Sequence, residues 1–175
     1  VEEPSPAMEF LSNRGREAIA LLVIALCLYL LLSLSSFVLP EPGEALPRGG
    51  WRNLGGVVGY HLAHGLMFVF GFASFVLVLF ATVYGVLTLL HRQVDKLVLR
   101  ALGAVVLTAM LSLLLAGPDG FAGVTDASPY GAGGRLGANL SPKLHYAFGG
   151  SGRILLLIFG ALFALLLATE WLFLV

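Results

Sequence analysis

Charged residues are scarce in this chain of 175 residues, where they make up 11% of the sequence. Soluble domains carry about a quarter of their residues as charged side chains, so this scarcity excludes an ordinary soluble domain. Hydrophobic residues reach 58%, and the formal net charge is zero. Without excess positive charge or a basic stripe, a nucleic-acid-binding face is also excluded, and the composition indicates a protein of the lipid bilayer.

Cysteine is nearly missing as well, since Cys27 is the only one and lies in the middle of an apolar run. A single cysteine excludes an internal disulfide, and packing is the role we assign to it. No GxxxxGK[ST] phosphate loop occurs, and Gly149–Arg153 lacks the strand-to-helix context that such a loop requires. We therefore expect no catalytic, metal or cofactor site in this chain. The missing initial methionine, and an end at Val175 within or just after an apolar run, predict a piece of a longer protein.

Four long apolar runs fill most of the sequence, and a helix needs about 20 apolar residues to cross a bilayer. We predict an all-α integral membrane protein in which residues 1–16 form an N-terminal cytoplasmic or interfacial segment and residues 17–175 a four-helix transmembrane domain. The last two runs are short, so Arg100, Arg153 and Glu170 should lie near the lipid headgroups. The predicted spans cover about residues 18–39, 66–90, 97–117 and 154–175.

An even number of spans places both termini on one side of the membrane, and the cations indicate which side. Five cations flank each face, but those on the side of the termini are denser, with three of them between Arg92 and Arg100. The positive-inside rule then favours cytoplasmic termini. This orientation predicts a cytoplasmic loop at 91–96 and periplasmic segments at 40–65 and 118–153.

A pattern that is written twice is the most informative feature of the chain. Gly55-Gly56 opens one copy and Gly133-Gly134 opens the other, seventy-eight residues later, and both copies read GGxxGxxLxxxLxxxFG. A repeat of this length predicts a duplicated architecture. We expect two similar helix pairs, related by an axis along the membrane normal, with Gly-rich helical elements on the periplasmic side. The predicted helix-packing or bend positions are Gly55, Gly56, Gly59, Gly71, Gly133, Gly134, Gly137 and Gly149.

The glycines of these motifs have two compatible physical explanations. Gly55 and Gly59, like Gly133 and Gly137, have the GxxxG spacing that lets helix backbones approach closely in lipid. Alternatively, the glycines shape a bend where a surface helix turns into a membrane span. The sequence leaves both explanations open, and it also leaves open whether these elements dip into the bilayer or lie on it.

Histidines and one acidic residue are the remaining candidates for chemistry. His61 and His64 have a helical spacing, and His145 lies in the matching region of the second copy. Two imidazoles without a third ligand make a poor metal site, so we interpret them as interfacial histidines. Glu170 lies beside Trp171 near the end of the last run, and we interpret it as an interface anchor in preference to a proton-relay carboxylate.

The order of these features resembles the N-terminal membrane domain of FtsK/SpoIIIE-type DNA translocases. Asn53-Leu54-Gly55-Gly56 with Gly59 is similar to the N-x-GG-x-x-G motif that opens the second helix of that family. Gly133–Leu140 is similar to the family's second motif, GG-x-x-G-x-x-L, and the resemblance covers roughly residues 14–174. The linker and the ATPase motor of the family are not part of this sequence.

The resemblance implies a membrane-anchoring domain of a DNA translocase that acts in cell division and chromosome segregation. It implies the bacterial inner membrane at the division septum, cytoplasmic termini, and contacts with lipid, with divisome membrane proteins and with further copies of the chain. ATP, magnesium and DNA would be bound only by the motor of a longer parent protein, so we expect that this chain is not an enzyme. The alternative is a free-standing four-helix transporter or channel subunit, because duplicated helix pairs and glycine-broken helices also suit transport proteins.

Overall fold

The structure is a computed structural model that describes residues 6–38, 53–90, 97–120 and 130–169. All regular elements within these residues are helical, which confirms the predicted all-α class for the described part of the chain. The elements, in chain order, are α1 Pro6–Ser35, α2 Gly56–Phe70, the 3₁₀ turn Gly71–Ala73, α3 Ser74–Leu89, α4 Leu97–Leu115 and α5 Gly134–Thr169.

Four helical segments are long and apolar enough to cross a membrane, which confirms the prediction of a membrane protein. The second and fourth of these contain 34 and 36 residues, well above the length of about 20 that a bilayer requires. A straight helix of that length would extend far beyond the lipid on at least one side. The four segments are Glu17–Ser35, Gly56–Leu89, Leu97–Leu115 and Gly134–Thr169.

Glycine breaks divide both of the long segments, at two of the glycines named above as helix-packing or bend positions. Gly71, between α2 and α3, has φ 59° and ψ −140°. Gly149, inside α5, has φ 69° and ψ 179°, so two helical stretches meet there at a kink. Apolar residues continue through the break at Gly71, so hydrophobic patterning alone does not show it, whereas Gly149 is followed by Gly150-Ser151-Gly152-Arg153 and precedes the last apolar run.

Small residues fill the interior of the bundle, and large apolar residues cover its outside. Leu22 and Phe159 are 67% and 65% exposed, whereas Ala164 is fully buried. In lipid, large apolar side chains gain little from leaving the surrounding acyl chains, and small residues let helix backbones approach. The interior of this chain therefore has the composition of a membrane bundle. Its buried residues include Ala20, Ala63, Ala104, Ala168, Ser33, Ser74, Thr108, Ser112 and Ser141.

The first half of the chain forms an antiparallel pair of α1 and α3, with α2 packed against the end of α1. Late in α3, a Cβ atom on Gly85 would lie 2.9 Å from Ile24. Early in α3, Phe75 packs against the core cluster that contains Leu34 and Phe37, at the end of α1. The order of these contacts shows that the two helices run in opposite directions.

The second half forms the corresponding antiparallel pair of α4 and α5. At the start of α4, a Cβ atom on Gly103 would lie 2.6 Å from the backbone nitrogen of Ala168, near the end of α5. Farther along, a Cβ atom on Gly160 would lie 3.0 Å from the Met110 sulfur. Glycine thus permits close contact between α4 and α5 at both of these positions.

α2 connects the two pairs at the end of the bundle where α1 and α4 terminate. Near its start, Gly59 lies against Ser33, in the last turn of α1. At its other end, the turn Gly71–Ala73 contacts α4 and lies against Ala132, just before α5. The 15 residues of α2 are about 22 Å long, so the helix bridges the ends of α1 and α4.

Candidate functional site: the two glycine motifs

The first glycine motif, Gly55, Gly56 and Gly59, begins α2 on a turn that is held by Asn53. The side-chain oxygen of Asn53 accepts the Gly55 N–H at 2.8 Å, and the Gly56 N–H donates to the Asn53 carbonyl at 2.9 Å. Asparagine favours such turns because its short amide bonds its own backbone two residues later. The Asn53 amide nitrogen also donates to the Ser33 carbonyl at 2.7 Å, which fixes the turn to the end of α1.

Ser33 is the surface of α1 on which the first motif rests. A Cβ atom on Gly55 or on Gly59 would overlap the Ser33 hydroxyl oxygen. Ser33 is fully buried, and its hydroxyl donates to the Tyr29 carbonyl at 2.8 Å. Tyr29 donates from its own hydroxyl to the Gly55 carbonyl at 2.6 Å. The first motif therefore forms both a turn and a close helix contact. The atom nearest to its glycines is the Ser33 hydroxyl oxygen, which belongs to a side chain.

The second glycine motif, Gly133, Gly134 and Gly137, begins α5 with the same backbone bonds. The Gly134 N–H donates to the Gly131 carbonyl at 3.0 Å, and the Gly137 N–H donates to the Gly133 carbonyl at 3.1 Å. The first motif has the corresponding two bonds, seventy-eight residues earlier, at 2.9 and 3.1 Å. Gly56 and Gly134 also share a positive φ, of 63° and 61°. The two sequence motifs thus produce the same local conformation.

Backbone atoms face the second motif, in contrast to the first. A Cβ atom on Gly133 would overlap the Ser112 carbonyl oxygen, and one on Gly137 would lie 2.7 Å from that oxygen and 2.6 Å from the Ala116 Cβ. The Ser112 hydroxyl donates to the Gly133 carbonyl. Close approach of this kind needs small residues on both helices. α5 therefore lies backbone to backbone against α4, while a serine hydroxyl separates α2 from α1.

The break after α2 docks directly on the second motif. The Phe72 N–H donates to the Ala132 carbonyl at 2.9 Å. A Cβ atom on Gly71 would lie 2.5 Å from the Gly134 nitrogen, and one on Gly134 would lie 2.8 Å from the Val69 carbonyl carbon. Two glycine backbones meet here, both at positive φ that other residues rarely adopt. We call this contact between the two halves of the chain the central junction.

Aromatic side chains lie beside the central junction. Phe68 meets Tyr130 edge to face with ring centroids 4.7 Å apart, and the Arg135 guanidinium lies 5.4 Å from the Phe68 centroid. Such a cation over an aromatic face is attracted by the ring quadrupole. His64, one of the weighed metal ligands, stacks on Tyr60 with centroids 6.1 Å apart. Among the described residues, no group of three or more potential metal-ligating side chains comes together.

The repeat counterparts of the two central-junction glycines, Gly149 in the second half and Gly56 in the first, pack against nothing among the described residues. Gly149 occupies the repeat position of Gly71, yet no described atom lies within 4 Å of where its Cβ would stand. Gly56 occupies the repeat position of Gly134 and is equally open. Of the eight predicted glycines, Gly71 is thus brought together with the second motif, while Gly149 lies apart from both motifs.

Polar groups outside the motifs tie the helices together at other points. Arg153 is 4% exposed and donates to the Leu113 carbonyl at 2.8 Å, where the last turn of α4 leaves carbonyls without helical partners. Its position next to an apolar run had predicted only a place near the headgroups. The Tyr84 hydroxyl donates to the Ala168 carbonyl at 2.6 Å and links α3 to α5. Glu170, interpreted as an interface anchor, lies outside the described residues.

The polar partners of the glycines were not predicted from the sequence. Ser33 and Ser112 each lie in the last turn of an apolar helix, and both are fully buried. Their signal in the sequence is a hydroxyl residue that interrupts an apolar run shortly before a loop. Asn53 belongs to the glycine motif, and an asparagine two residues before a Gly-Gly pair is a recognisable turn signal.

Comparisons with known proteins connect this arrangement to one family. Residues 12–175 match the family described as the 4TM region of DNA translocase FtsK/SpoIIIE. Two curated relatives are 30% identical to the chain over 145 residues, covering 82% of the chain and 14% of each relative. No solved structure matches the chain. Both relatives are DNA translocase FtsK from Leptospira interrogans serogroup Icterohaemorrhagiae, of serovar copenhageni (strain Fiocruz L1-130) and serovar Lai (strain 56601).

Proposed function

Because the chain belongs to the FtsK/SpoIIIE 4TM family, we propose that it anchors a DNA translocase in the membrane during cell division and chromosome segregation. The observation that carries the proposal is the family match over residues 12–175, which includes all four membrane-length helices. The match is to a membrane region that is not the ATPase motor, so this segment is not an enzyme. In this proposal ATP, Mg²⁺ and DNA are bound by a motor elsewhere in a longer parent protein.

The proposed location is the bacterial inner membrane at the division septum, with both termini in the cytoplasm. The dense cations between Arg92 and Arg100 support this orientation, since positive charge near helix ends favours the cytoplasmic side. α2 would then lie at the periplasmic surface, because it bridges the ends of α1 and α4. The exposed residues beside the glycine motifs would contact divisome membrane proteins and other copies of the chain from that side, because most glycines of the motifs pack within the chain.

We also propose that the domain consists of two copies of one helix-pair unit. The break follows the paired glycines at an offset of fifteen positions in each half, from Gly56 to Gly71 and from Gly134 to Gly149. All four glycines have positive φ, between 59° and 69°. The backbone bonds of the two turns also correspond. These shared local features support the duplication, and a superposition of residues 18–90 on 96–168 tests it directly.

Orientation can be tested by labelling single cysteines in a Cys27→Ser background. We expect Ser128→Cys to react with an impermeant thiol reagent added to intact cells. Gln93→Cys should react only after the cells are permeabilised. Labelling of Gln93→Cys from outside intact cells would overturn the proposed orientation.

The septal role can be tested with a fluorescent fusion in dividing cells. We expect enrichment at the division site, and we expect Gly133→Leu to abolish it because the side chain would collide with the Ser112 carbonyl. Gly65→Leu is the matched control, since no described atom lies within 4 Å of its Cβ position. A uniform membrane signal from an intact, correctly inserted fusion argues against an autonomous septal anchor.

The coding sequence beyond Val175 separates the anchor from the transporter alternative. We expect a linker followed by an ATPase motor with a phosphate-binding loop. A coding region that ends close to Val175 favours the free-standing transporter or channel subunit instead.

A further inference from the structure

The central junction is asymmetric, because the break of the first half contacts the turn of the second half but the reverse contact is not made. This asymmetry predicts how copies of the chain meet. The break of the first half, at Gly71, docks on the turn of the second half, at Gly134. A pair of halves related by a two-fold axis would also dock Gly149 on Gly56. Both of these glycines instead have no described atom within 4 Å of their Cβ positions. The junction is therefore heterologous, which means that it joins two different surfaces. The unoccupied counterparts of these surfaces are at Gly149 in the second half and at Gly56 in the first half.

We propose that these two surfaces bind each other between neighbouring copies of the chain, so that the break at Gly149 of one copy docks on the Gly55-Gly56 turn of the next. The occupant is a second copy because the chain already contains this contact, built from residues at the same repeat positions. The inference rests on the proposed two-copy architecture. It does not depend on the septal location or on the motor.

The backbone bond of the central junction has an equivalent at the proposed contact. Within the chain, the Phe72 N–H donates to the Ala132 carbonyl. Seventy-eight residues away, the corresponding groups are the Gly150 N–H and the Leu54 carbonyl. Leu54 is 69% exposed, and Gly150 is also exposed, so both residues lie at the surface of the described chain.

Side chains beside the junction show the same difference between an occupied and an open surface. Ala73 is 1% exposed where the first half docks on the second, whereas Ser151, at the matching position, is exposed. Phe68 is covered by an arginine and a tyrosine from the second half, whereas its counterpart Tyr146 is 94% exposed. An apolar groove follows Ser151 along α5 and is lined by Ser151, Ile154, Leu155, Ile158 and Phe159.

The geometry also determines which helix of the neighbour would fill this groove. Within the chain, α3 and the turn Gly71–Ala73 contact α4. The repeat counterpart of α4 is α1, and the counterpart of α3 is the part of α5 after Gly149. α1 of one copy would therefore lie against that part of α5 in the next. Because each copy presents one surface of each kind, contacts repeat head to tail and form a ring if the rotation closes.

Disulfide trapping in membranes tests this contact on the whole chain in a Cys27→Ser background. We expect Leu54→Cys with Gly150→Cys in one chain to give a ladder of covalent oligomers on oxidation. Chains that carry only one of these cysteines should cross-link only when the two kinds are co-expressed, and then only to a heterodimer. The internal control is Phe72→Cys with Ala132→Cys, which should close a disulfide within one chain.

A blocking substitution measures whether the trapped contact is the proposed one. Ser151→Trp should lower the cross-linked fraction by about tenfold, the effect of an overpacking penalty of about 1.4 kcal/mol on association. Val98→Trp, at a lipid-exposed site on α4, should leave the ladder unchanged. Absence of the ladder while the internal control closes would overturn the proposal and indicate that lipid covers this surface. Equal cross-linking of either single-cysteine chain with itself would overturn it as well.

Discussion

The two glycine motifs should respond differently when each receives the same added methyl group. In Gly59→Ala the new Cβ overlaps the Ser33 hydroxyl oxygen and lies 3.0 Å from the Asn53 side-chain oxygen and 3.2 Å from the Ser33 Cβ. In Gly137→Ala it lies 2.7 Å from the Ser112 carbonyl oxygen and 2.6 Å from the Ala116 Cβ. A hydroxyl can be removed by mutation, but a helix carbonyl cannot. The first clash should therefore be relieved by Ser33→Ala, and the second should persist in Ala116→Gly.

The expected magnitudes follow from two opposing effects. Overpacking costs about 1–3 kcal/mol, while replacing glycine by alanine inside a helix gains about 0.5–1 kcal/mol. Gly65→Ala isolates the gain, because no described atom lies near its Cβ position. Ser33→Ala alone should cost little, because its hydroxyl bonds a carbonyl four residues earlier in the same helix. Relative to Gly65→Ala, each clashing variant should lose about 1–3 kcal/mol of unfolding free energy.

Equilibrium unfolding in mixed micelles, followed by circular dichroism, measures these differences as two double-mutant cycles. We expect a coupling of about 1–2 kcal/mol between Gly59→Ala and Ser33→Ala, and a much smaller coupling between Gly137→Ala and Ala116→Gly. Equal rescue in both cycles would refute the distinction between a side-chain contact and a backbone contact. Failure of Ser33→Ala to rescue Gly59→Ala would refute the role of Ser33 as the surface of the first motif.

Three further substitutions test other contacts, with unfolding free energy as the common measurement. Gly134→Ala should be more destabilising than its control, Gly56→Ala, by about 1–3 kcal/mol. Both variants change a glycine at positive φ, but only Gly134 is packed in the central junction. Tyr84→Phe should cost about 0.5–1.5 kcal/mol through its lost bond to α5. Asn53→Ala should cost about 1–3 kcal/mol, because the buried turn loses both side-chain bonds. Losses no larger than those of the controls would contradict these assignments. The respective controls, at open or exposed positions, are Gly56→Ala, Tyr146→Phe and Asn139→Ala.

The amino-acid sequence was sufficient for the features that depend on composition and local order. Uncharged apolar runs predicted membrane helices, because a chain without polar side chains can satisfy its backbone in lipid only by forming helices or closed barrels. The repeated glycine motif, read in order with its loops, led to the family that the comparison confirms. Septal location, partners and orientation remain predictions.

The helix breaks show where such reasoning stops. Gly71 lies within a continuous apolar run, and the sequence allowed either a helix-packing contact or a bend at this glycine. The hydrophobicity pattern shows which residues prefer lipid, but it does not show where a helix changes direction. The break is stabilised by the Phe72 bond to Ala132, a residue far away in the sequence. Contacts of that kind depend on how helices pack and cannot be inferred from local hydrophobicity.

The sequence by itself determined that two similar turns exist, because the same residues at the same spacing give the same backbone conformation. The positive φ of Gly56 and Gly134 is a local property, and it is nearly identical in the two halves. Only the tertiary structure decided that their surroundings differ, with Gly134 buried in the central junction and Gly56 open. A repeat encodes the same surfaces twice, but a single chain has only one neighbouring half with which to cover them. For that reason the local conformation is duplicated while the packing is not.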